Sequence, residues 1–418
     1  MILPAALIAG ALSIAGCSSS STSTGAAGSQ LPSSITVWSY DNNPGPISFE
    51  NQAAKLFNEQ YPTVKVNLVT IPGSQLEGKI LAAAATHAGP DAIVGYCPAC
   101  WFSALAAAGS FYNMTSYWNS FGGRTGFNPN AIYTYNGKIY TVQSYFGVWG
   151  LYYNKTLLNS LGLSVPTTLS ALDSDLAVIK AHGDTGIVQP MGVGNGAGMD
   201  AFIRGAGASY CTAGNNSKAA EAAFSTLAGW TNDGYEPRAV VTYSQPDALA
   251  AWIQGKTAFL YTGDWESATA TSEAKFQWGV EPLPAGLGGE YSTVGGEGQA
   301  IGAFTKYPQI VWKYLEDGWF SQTAQSNIIN TVGELPANSQ AAASVRSDPY
   351  QAQLLNQHLE LGLMHNANFQ TEQNGEPAIE TAVVSGQLSA NQAAQKFVAL
   401  VNSSKVSAGG GACAAPMG

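Results

Sequence analysis

The sequence GKIYTVQSYFGVWGLYYNK, residues 137–155, is the stretch around which the rest of the chain is ordered. It opens on a pattern typical of a tight turn, because Gly137 tolerates a positive φ. Residues 139–142 and 148–153 are rich in β-branched and aromatic side chains, which predicts two strands. Residues 144–147 between them have neither a helical nor a strand period. We therefore predict a link that crosses from one lobe to another, with an ordinary β-hairpin as the alternative.

Upstream of this stretch, strand patterns alternate with helical patterns. Residues 34–39, 64–69 and 89–94 read as strands, and residues 49–61 and 76–87 carry apolar residues at helical spacing. Such alternation indicates parallel pairing in an α/β lobe. Ligands of these sheets lie beyond the carboxyl ends of the strands. The residues that follow the first and third strands, and so form one candidate cleft wall, are Tyr40, Asp41, Asn42, Tyr96 and Trp101.

The start of the chain has the pattern of an export signal. Residues 3–16 form an apolar run that is too short to span a bilayer. Cys17 follows at once, and residues 14–17 resemble the bacterial lipobox, whose cysteine becomes the lipidated first residue. The Ser/Thr/Gly-rich residues 18–30 then predict a flexible tether. No Lys or Arg precedes the apolar run, so a signal without lipid and a buried N-terminal helix are the alternatives.

The other cysteines are compatible with disulfides in an exported protein. Cys97 and Cys100 form a CxxC, for which we predict a local structural disulfide. The alternatives are a zinc half-site, which lacks a second CxxC or a His pair, and a redox motif, which lacks a thioredoxin-like context. Cys211 and Cys413 are then left to pair. Tyr96 and Trp101 lie near this predicted disulfide. A second interpretation is therefore that their side chains pack on the core instead of lining the cleft.

Two motifs stand out in the second half. Residues 192–198 read GxGxG rather than GxGxxG, and no GK[ST] follows, so we do not expect a nucleotide site. Residues 252–265, WIQGKTAFLYTGDW, place Trp265 directly after a strand and a glycine. An indole at a strand end can stack on a sugar ring while polar groups bind its hydroxyls. The alternative for Trp265 is a core residue.

Several collinear motifs together resemble the maltose-binding-protein-like solute-binding proteins of ATP-driven importers. The opening stretch is similar to that family's GK-x-YG-x-P and L-x-YNK, with Thr141 and Gln143 where the family has Gly and Pro. Residues 252–265 resemble F-x-x-GK-x-AM-x-x-x-G-x-W, and residues 333–338 resemble a G-x-x-P crossing. The resemblance covers residues 34–404.

The resemblance implies an α/β fold of the two-lobed periplasmic-binding-protein-like class (type II), with three interlobe crossings. The implied segments are a signal peptide (1–16), a tether (17–33), lobe 1 (34–144 and 297–333), lobe 2 (145–296 and 334–404) and a tail (405–418). The residues expected to contact a ligand are Tyr40, Asp41, Asn42, Tyr96, Trp101, Tyr145, Phe146, Asp200, Asp264, Trp265, Gly296 and Glu297.

The function implied is capture of a sugar or oligosaccharide outside the membrane and delivery to the permease of an ABC transporter. The expected protein is a monomer without cofactor or metal, anchored to the outer face of the cell membrane through lipid on Cys17. A receptor for glycerol 3-phosphate or a related phosphodiester is the alternative on the same fold, but such a ligand favours Arg or Lys in the cleft, and the predicted walls carry none.

Composition weighs against other classes. The net charge is −10 and only 11% of residues are charged, which argues against nucleic acid or an anionic membrane surface as partner. The four histidines are scattered, without HExxH, GxSxG or a Ser/His/Asp grouping. Asp264 and Glu297 could mimic the carboxylate pair of a glycosidase, which is a second alternative. An adhesion or structural lipoprotein is the third, and the crossings argue against it.

Overall fold

In the computed structural model the chain divides into two compact units, Met1–Leu31 and Pro32–Gly418. The structure describes residues 31–40, 44–191, 200–208, 217–289, 295–344 and 369–407. The second unit is built from strands and helices in alternation.

The described strands run in chain order from the amino end. They are β1 (Ser34–Ser39), β2 (Lys65–Thr70), β3 (Ala92–Tyr96), β4 (Ile132–Tyr135), β5 (Lys138–Phe146), β6 (Trp149–Asn154), β7 (Thr185–Val188), β8 (Thr257–Gly263), β9 (Trp278–Glu281), β10 (Glu297–Ile301) and β11 (Leu335–Pro336).

Helices fill most of the intervals between these strands. They are α1 (Pro44–Gln60), α2 (Gly73–Ala85), α3 (Pro98–Ala107), α4 (Thr115–Ser120), α5 (Lys155–Ser160), α6 (Leu169–His182), α7 (Asp200–Gly205), α8 (Ser217–Asn232), α9 (Gln245–Ile253), α10 (Ser267–Glu273), α11 (Pro308–Leu315), α12 (Gln322–Thr331), α13 (Ser339–Ser344) and the C-terminal helices Phe369–Val384 and Ala390–Ser407. Among the described residues, none of the helices is both long and apolar enough to cross a membrane.

The larger sheet has the strand order β11-β5-β10-β3-β1-β2, with β4 also paired to β5. The pairs β1–β2 and β1–β3 are parallel, as the alternating pattern predicts. The later strand β10 lies between β3 and β5 and is antiparallel to both. A strand from far along the chain therefore completes the sheet that the first residues begin.

The smaller sheet has the order β7-β8-β6-β9. Its strand β6 pairs with β8 and β9, whereas β5 pairs within the larger sheet. The β-hairpin alternative is therefore wrong, and the chain does change sheets after β5. The α/β class with two sheets joined by crossings is confirmed.

The link between the sheets is shorter than the sequence suggests. Residues 144–146 belong to β5, so only Gly147 and Val148 separate it from β6. Tyr145 and Phe146 are held extended because they pair with β10 and β11. These pairing strands lie more than a hundred residues away in sequence, so no local pattern marks the extension.

Two helix starts also differ from expectation. Helix α6 begins at Leu169, and its cap is Thr168, whose hydroxyl accepts a hydrogen bond from the Ala171 N–H at 3.1 Å. The sequence predicts a helix over residues 170–182 with Ser170 as its cap, because serine favours that position, but Ser170 lies inside the helix. Helix α1 begins at Pro44 rather than at residue 49, which is compatible with proline in a first helical turn.

Aromatic packing joins α1 and α11 to the larger sheet. The ring of Phe49 lies 5.2 Å from Trp319 and 6.4 Å from Tyr145, both measured between centroids. Trp319 belongs to a π-helical turn, Glu316–Phe320, that continues α11. At this turn a Cβ on Gly318 would lie 2.6 Å from the Ala53 carbonyl oxygen. Glycine thus lets the turn approach α1 closely.

Candidate functional site

The link from β5 to β6 lies where several parts of the chain converge. A Cβ on Gly147 would lie 2.8 Å from Glu334 Oε2 and 2.8 Å from Trp265 Cζ3. The Gly147 carbonyl accepts a hydrogen bond from the Gly295 N–H at 2.7 Å. Glycine is therefore needed at position 147, because a side chain would collide with the groups that flank the link.

All three expected crossings meet beside this link. The sequence places the second crossing at residues 294–298, and it contacts the link through Gly295. The third crossing, residues 333–338, contacts it through β11, which pairs with the end of β5. The Ala337 N–H also donates to the Ser144 carbonyl oxygen at 2.8 Å. The fold thus concentrates its connections between the two sheets in one small region.

Gln143 makes hydrogen bonds to both the first and the second crossing. Its side chain is fully buried. Its Nε2 donates to the carbonyl oxygens of Tyr145 at 3.0 Å and Gly295 at 2.7 Å, and its Oε1 accepts from the Tyr133 hydroxyl at 3.3 Å. Gln143 replaces the proline of the related family pattern, and a proline has no side chain that makes such hydrogen bonds.

Tyr40, Trp101 and Glu297 come together on the side of the larger sheet. Tyr40 follows β1, and its ring meets that of Trp101 edge to face at 5.6 Å between centroids. The Tyr40 hydroxyl donates a hydrogen bond to Glu297 Oε1. Tyr40 and Trp101 are both partly buried, so neither side chain is fully enclosed in the core, and Tyr40 contacts a carboxyl group.

Trp265 lies at the end of β8, on the side of the smaller sheet. Its indole is partly buried and meets Trp149 edge to face at 5.6 Å between centroids. Its Nε1 donates to Gln245 Oε1 at 2.8 Å. A Cβ on Gly263 would lie 2.1 Å from the indole, so the ring lies directly over this glycine. The hydrogen bond to Gln245 and the packing over Gly263 therefore fix the orientation of the indole.

Asp264 is fully buried at the same strand end. Its Oδ1 accepts from the Val148 N–H at 3.0 Å, and its own N–H donates to the Val148 carbonyl oxygen at 2.9 Å. Burial raises the pKa of Asp264 well above its usual range, although backbone N–H groups, including those of Val148 and Trp265, favour the ionised form. These hydrogen bonds hold the link between β5 and β6 against the end of β8.

Three of the expected aromatic contacts are buried. Tyr96 is 0% exposed, Tyr145 1% and Phe146 5%. The Tyr96 hydroxyl is hydrogen-bonded to Thr141 within the sheet. In this conformation these rings pack in the core of the larger sheet, so they offer little surface to a ligand.

Gly296 has a φ of +120°, a conformation that favours glycine. A Cβ there would lie 2.2 Å from Gln143 Nε2 and 2.2 Å from the Tyr145 carbonyl oxygen. The close packing of two crossings thus requires glycine at this position.

The remaining predicted residues lie outside what the structure describes: Asp41, Asn42, Cys17, Cys211, Cys413 and the side chains of Asp200 and Cys100. Cys97 is disulfide-bonded. Because the side chains of all other cysteines are undescribed, pairing of Cys97 with Cys100 stays a prediction.

The structure adds residues that sequence reasoning missed. Gln245 holds Trp265, Glu334 lies beside Gly147, and Glu50 is buried behind the Tyr40 wall with 2% exposure. For Glu50 a signal was present, since it is spaced i, i+3, i+7 with Ala53 and Phe57 on the buried face of α1.

Two carboxyl groups near Tyr40 have unusual acidity. Burial raises the pKa of Glu297 to about 7; the hydrogen bond from Tyr40 lowers it, and the charge of Glu50 raises it. Burial likewise raises the pKa of Glu50 to about 7, and the Ser39 hydroxyl lowers it. No cluster of three or more His, Cys, Asp or Glu side chains suited to a metal occurs in the part of the chain that is described.

Comparison with known proteins places the chain in a family. It belongs to the bacterial extracellular solute-binding proteins, whose family pattern matches residues 43–316.

Two curated relatives carry sugar-binding names. The chain is 30% identical over 224 residues to the maltodextrin-binding protein MdxE of Bacillus subtilis, covering 50% of this chain and 52% of that protein. It is 28% identical over 284 residues to the multiple sugar-binding protein of Streptococcus mutans, covering 63% of this chain and 66% of that protein. The matches thus span about half to two thirds of these relatives.

Solved structures of similar fold cover nearly the whole chain. The GacH receptor of Streptomyces glaucescens, solved without ligand and with acarbose, matches with a TM-score of 0.76 and 21% identity, over 90% of this chain and 99% of that one. The maltose-bound MalE3 of T. maritima also has a TM-score of 0.76, at 20% identity, over 88% and 99%. The two-lobed fold expected from the sequence is therefore confirmed.

Proposed function

We propose that this protein captures a neutral oligosaccharide outside the cell membrane and delivers it to the permease of an ATP-driven importer. The observation that carries the proposal is the fixed, partly exposed indole of Trp265 beside the crossings. Membership of the solute-binding family and the sugar-binding names of the relatives support the same conclusion.

In this proposal the ligand lies between the two sheets and contacts aromatic residues from both. Trp265 stacks on a sugar ring from one side, and Tyr40 and Trp101 form the opposite wall. Aromatic faces bind the C–H surface of a pyranose, while aimed polar groups fix its orientation. Glu297 is the polar partner closest to this wall, through its hydrogen bond with Tyr40.

Fewer residues are proposed to contact the ligand than the sequence implies. We leave Tyr96, Tyr145 and Phe146 out because they are buried, and we give Asp264 and Gly296 structural roles at the crossings. Asp41, Asn42 and Asp200 remain predicted contacts.

Closure about the crossings would couple binding to transport. We propose two lobes that follow the two sheets, with Leu335–Pro336 counted in the first lobe because β11 pairs with β5. Hinge closure around a ligand is a common motion of such proteins. A ligand that contacts both lobes favours the closed form, which the permease then recognises. The family resemblance implies no catalytic step.

A calorimetric screen tests the ligand class. We expect maltose and maltotriose to bind the purified protein, and sn-glycerol 3-phosphate not to bind. The residues that the sequence predicts as ligand contacts include no Lys or Arg, and anionic ligands favour such partners. Glucose, a single sugar ring, is the control for the length of the sugar. Tight binding of the phosphate ester without response to any neutral sugar would overturn the proposal.

We also propose that the protein is a monomer held on the outer face of the membrane by lipid on Cys17. The support is the sequence: an apolar run, the lipobox-like residues 14–17 and a polar tether. Two acyl chains give stable membrane binding, which one chain does not. We expect mass spectrometry of the mature protein from an exporting host to show a lipidated N-terminal cysteine. An unmodified peptide beginning at another residue would contradict this prediction.

A further inference from the structure

A cluster of buried polar groups lies behind Tyr40, between α1, the π-helical turn after α11 and the larger sheet. Its members, which we call the polar cluster, are Ser39, Glu50, Glu297, Tyr314 and Trp319. Ser39 acts on the acidity of Glu50, and Trp319 on that of Tyr314, so these groups lie in pairs. Glu50 Oε1 and Glu297 Oε2 are buried oxygens without a hydrogen-bond partner among the described residues.

Packing contacts hold these groups together. Phe49, the neighbour of Glu50 on α1, contacts Trp319 and Tyr145, and Tyr145 is paired with Glu297 between β5 and β10. Ser39 directly precedes Tyr40, whose hydroxyl donates to Glu297. Glu50 and Glu297 are therefore brought to the same face of the larger sheet from α1 and β10.

The two carboxyl groups approach this face from different elements, α1 and β10. The titratable groups that approach them from the packed elements are phenols: Tyr40 after β1, Tyr96 in β3, Tyr145 in β5 and Tyr314 in α11. No Lys or Arg of the described residues contributes to the acidity of either carboxyl. Two buried like charges are costly, and a proton held by one carboxyl relieves the repulsion.

We propose that Glu50 is a positioning residue for the binding site: it holds one proton in common with Glu297, and the charge left on Glu297 fixes the Tyr40 ring against the ligand. This inference rests on the proposed function, because it assigns Tyr40 to the ligand wall.

The hydrogen bonds decide which carboxyl carries the charge. Glu297 accepts from the Tyr40 hydroxyl, which favours its ionised form. Glu50 is 2% exposed and its Oε1 has no described donor, and burial outweighs the effect of the Ser39 hydroxyl on its pKa, so it is the better place for the proton. A hydrogen bond to an ionised acceptor is roughly twice as strong as a neutral one. Protonation of both carboxyls therefore loosens Tyr40.

Ligand affinity should then depend on pH. Burial raises the pKa of each carboxyl to about 7, and in the proposed pair the two protons leave in coupled steps. We expect the affinity for maltotriose to fall several-fold as the pH drops from 8 to 5, because Glu297 gains a proton and Tyr40 loses its strong acceptor.

The variant Glu297→Gln tests the pairing. It removes the charge that keeps the proton on Glu50, so the midpoint of Glu50 should fall by about one pH unit or more. The midpoint is read without ligand from carbon-13 NMR of glutamate carboxyls, with the Glu50 signal assigned by its loss in Glu50→Gln. The same variant should lose the pH dependence of maltotriose affinity, measured by calorimetry, because Tyr40 then has a neutral acceptor at every pH.

Glu236→Gln is the matched control. Glu236 is also buried, with 2% exposure, and burial raises its pKa to about 8, but it packs with Gln189 after β7 in the smaller sheet. It should leave the Glu50 midpoint unchanged. If Glu297→Gln does not fold, the wild-type NMR titration gives the second test, since the Glu50 signal should follow two steps, one for each carboxyl of the pair.

The outcomes separate the two proposals. An unchanged Glu50 midpoint in Glu297→Gln overturns the shared proton, whatever ligand binds. If the wild-type protein binds no neutral sugar at any pH, the proposed function fails, and the ligand-free NMR midpoints still decide whether the carboxyls are paired.

Discussion

The variant Trp265→Ala is expected to weaken binding of maltotriose by about 30-fold or more, which corresponds to about 2 kcal/mol. The melting temperature should fall only modestly. The indole is partly buried and already oriented by Gln245 and Trp149. A rigid aromatic side chain of this kind loses little conformational entropy when a ligand covers it. Little of the free energy gained from its contact with the ligand is therefore lost to ordering the side chain.

Affinity and stability must be measured on the same variant, by calorimetry and by thermal unfolding. Trp278→Ala is the matched control, because Trp278 is also partly buried but packs in the smaller sheet, 5.5 Å from the ring of Tyr152. We expect that control to lose stability and retain affinity. If Trp265→Ala gives this same result, then Trp265 is a core residue and not part of the binding site.

The largest loss of stability is expected from Gly296→Ala, about 3 to 5 kcal/mol in the free energy of unfolding. Two costs add at this position. The φ of +120° is strained for alanine, and the new Cβ would lie 2.2 Å from both Gln143 Nε2 and the Tyr145 carbonyl oxygen. The oxygen belongs to a paired strand, so the backbone of β5 or of the second crossing must move.

Two glycine controls separate these costs, and urea unfolding measures all three variants. Gly109 has a φ of +71° with open space at its Cβ position, so Gly109→Ala should cost about 1 to 2 kcal/mol through backbone strain alone. Gly229 lies inside α8 with open space and no positive φ, so alanine there should stabilise by about 0.5 to 1 kcal/mol. If Gly296→Ala is no less stable than Gly109→Ala, the steric clash at the crossings adds no cost in stability, and the prediction is wrong.

The architecture could be predicted from the sequence to a large extent. The first strand was predicted at its observed bounds, and the parallel pairing of β1, β2 and β3 followed from alternating strand and helix patterns. The change of sheet after β5 was predicted from a segment without local period. These features depend on side-chain spacing within short windows, which a sequence displays directly.

The composition of the site could be predicted only in part. Trp265, Tyr40 and Trp101 have the partly exposed rings that a ligand wall requires, and Tyr40 does contact Glu297. Tyr96 and Tyr145 have similar positions relative to their strands, yet they are buried. A pattern of aromatic residues at strand ends does not indicate which ring faces cover the core and which remain accessible.

The sequence by itself determined the fold class, the family and the place where the chain changes sheets, because these depend on residue types at fixed spacing. Tertiary structure alone decided that β5 extends to Phe146, that Gln143 joins two crossings, and that Glu50 lies behind Glu297. The partners in these contacts are separated by more than a hundred residues. Their hydrogen bonds and shared burial arise only when β10 and β11 return to the larger sheet.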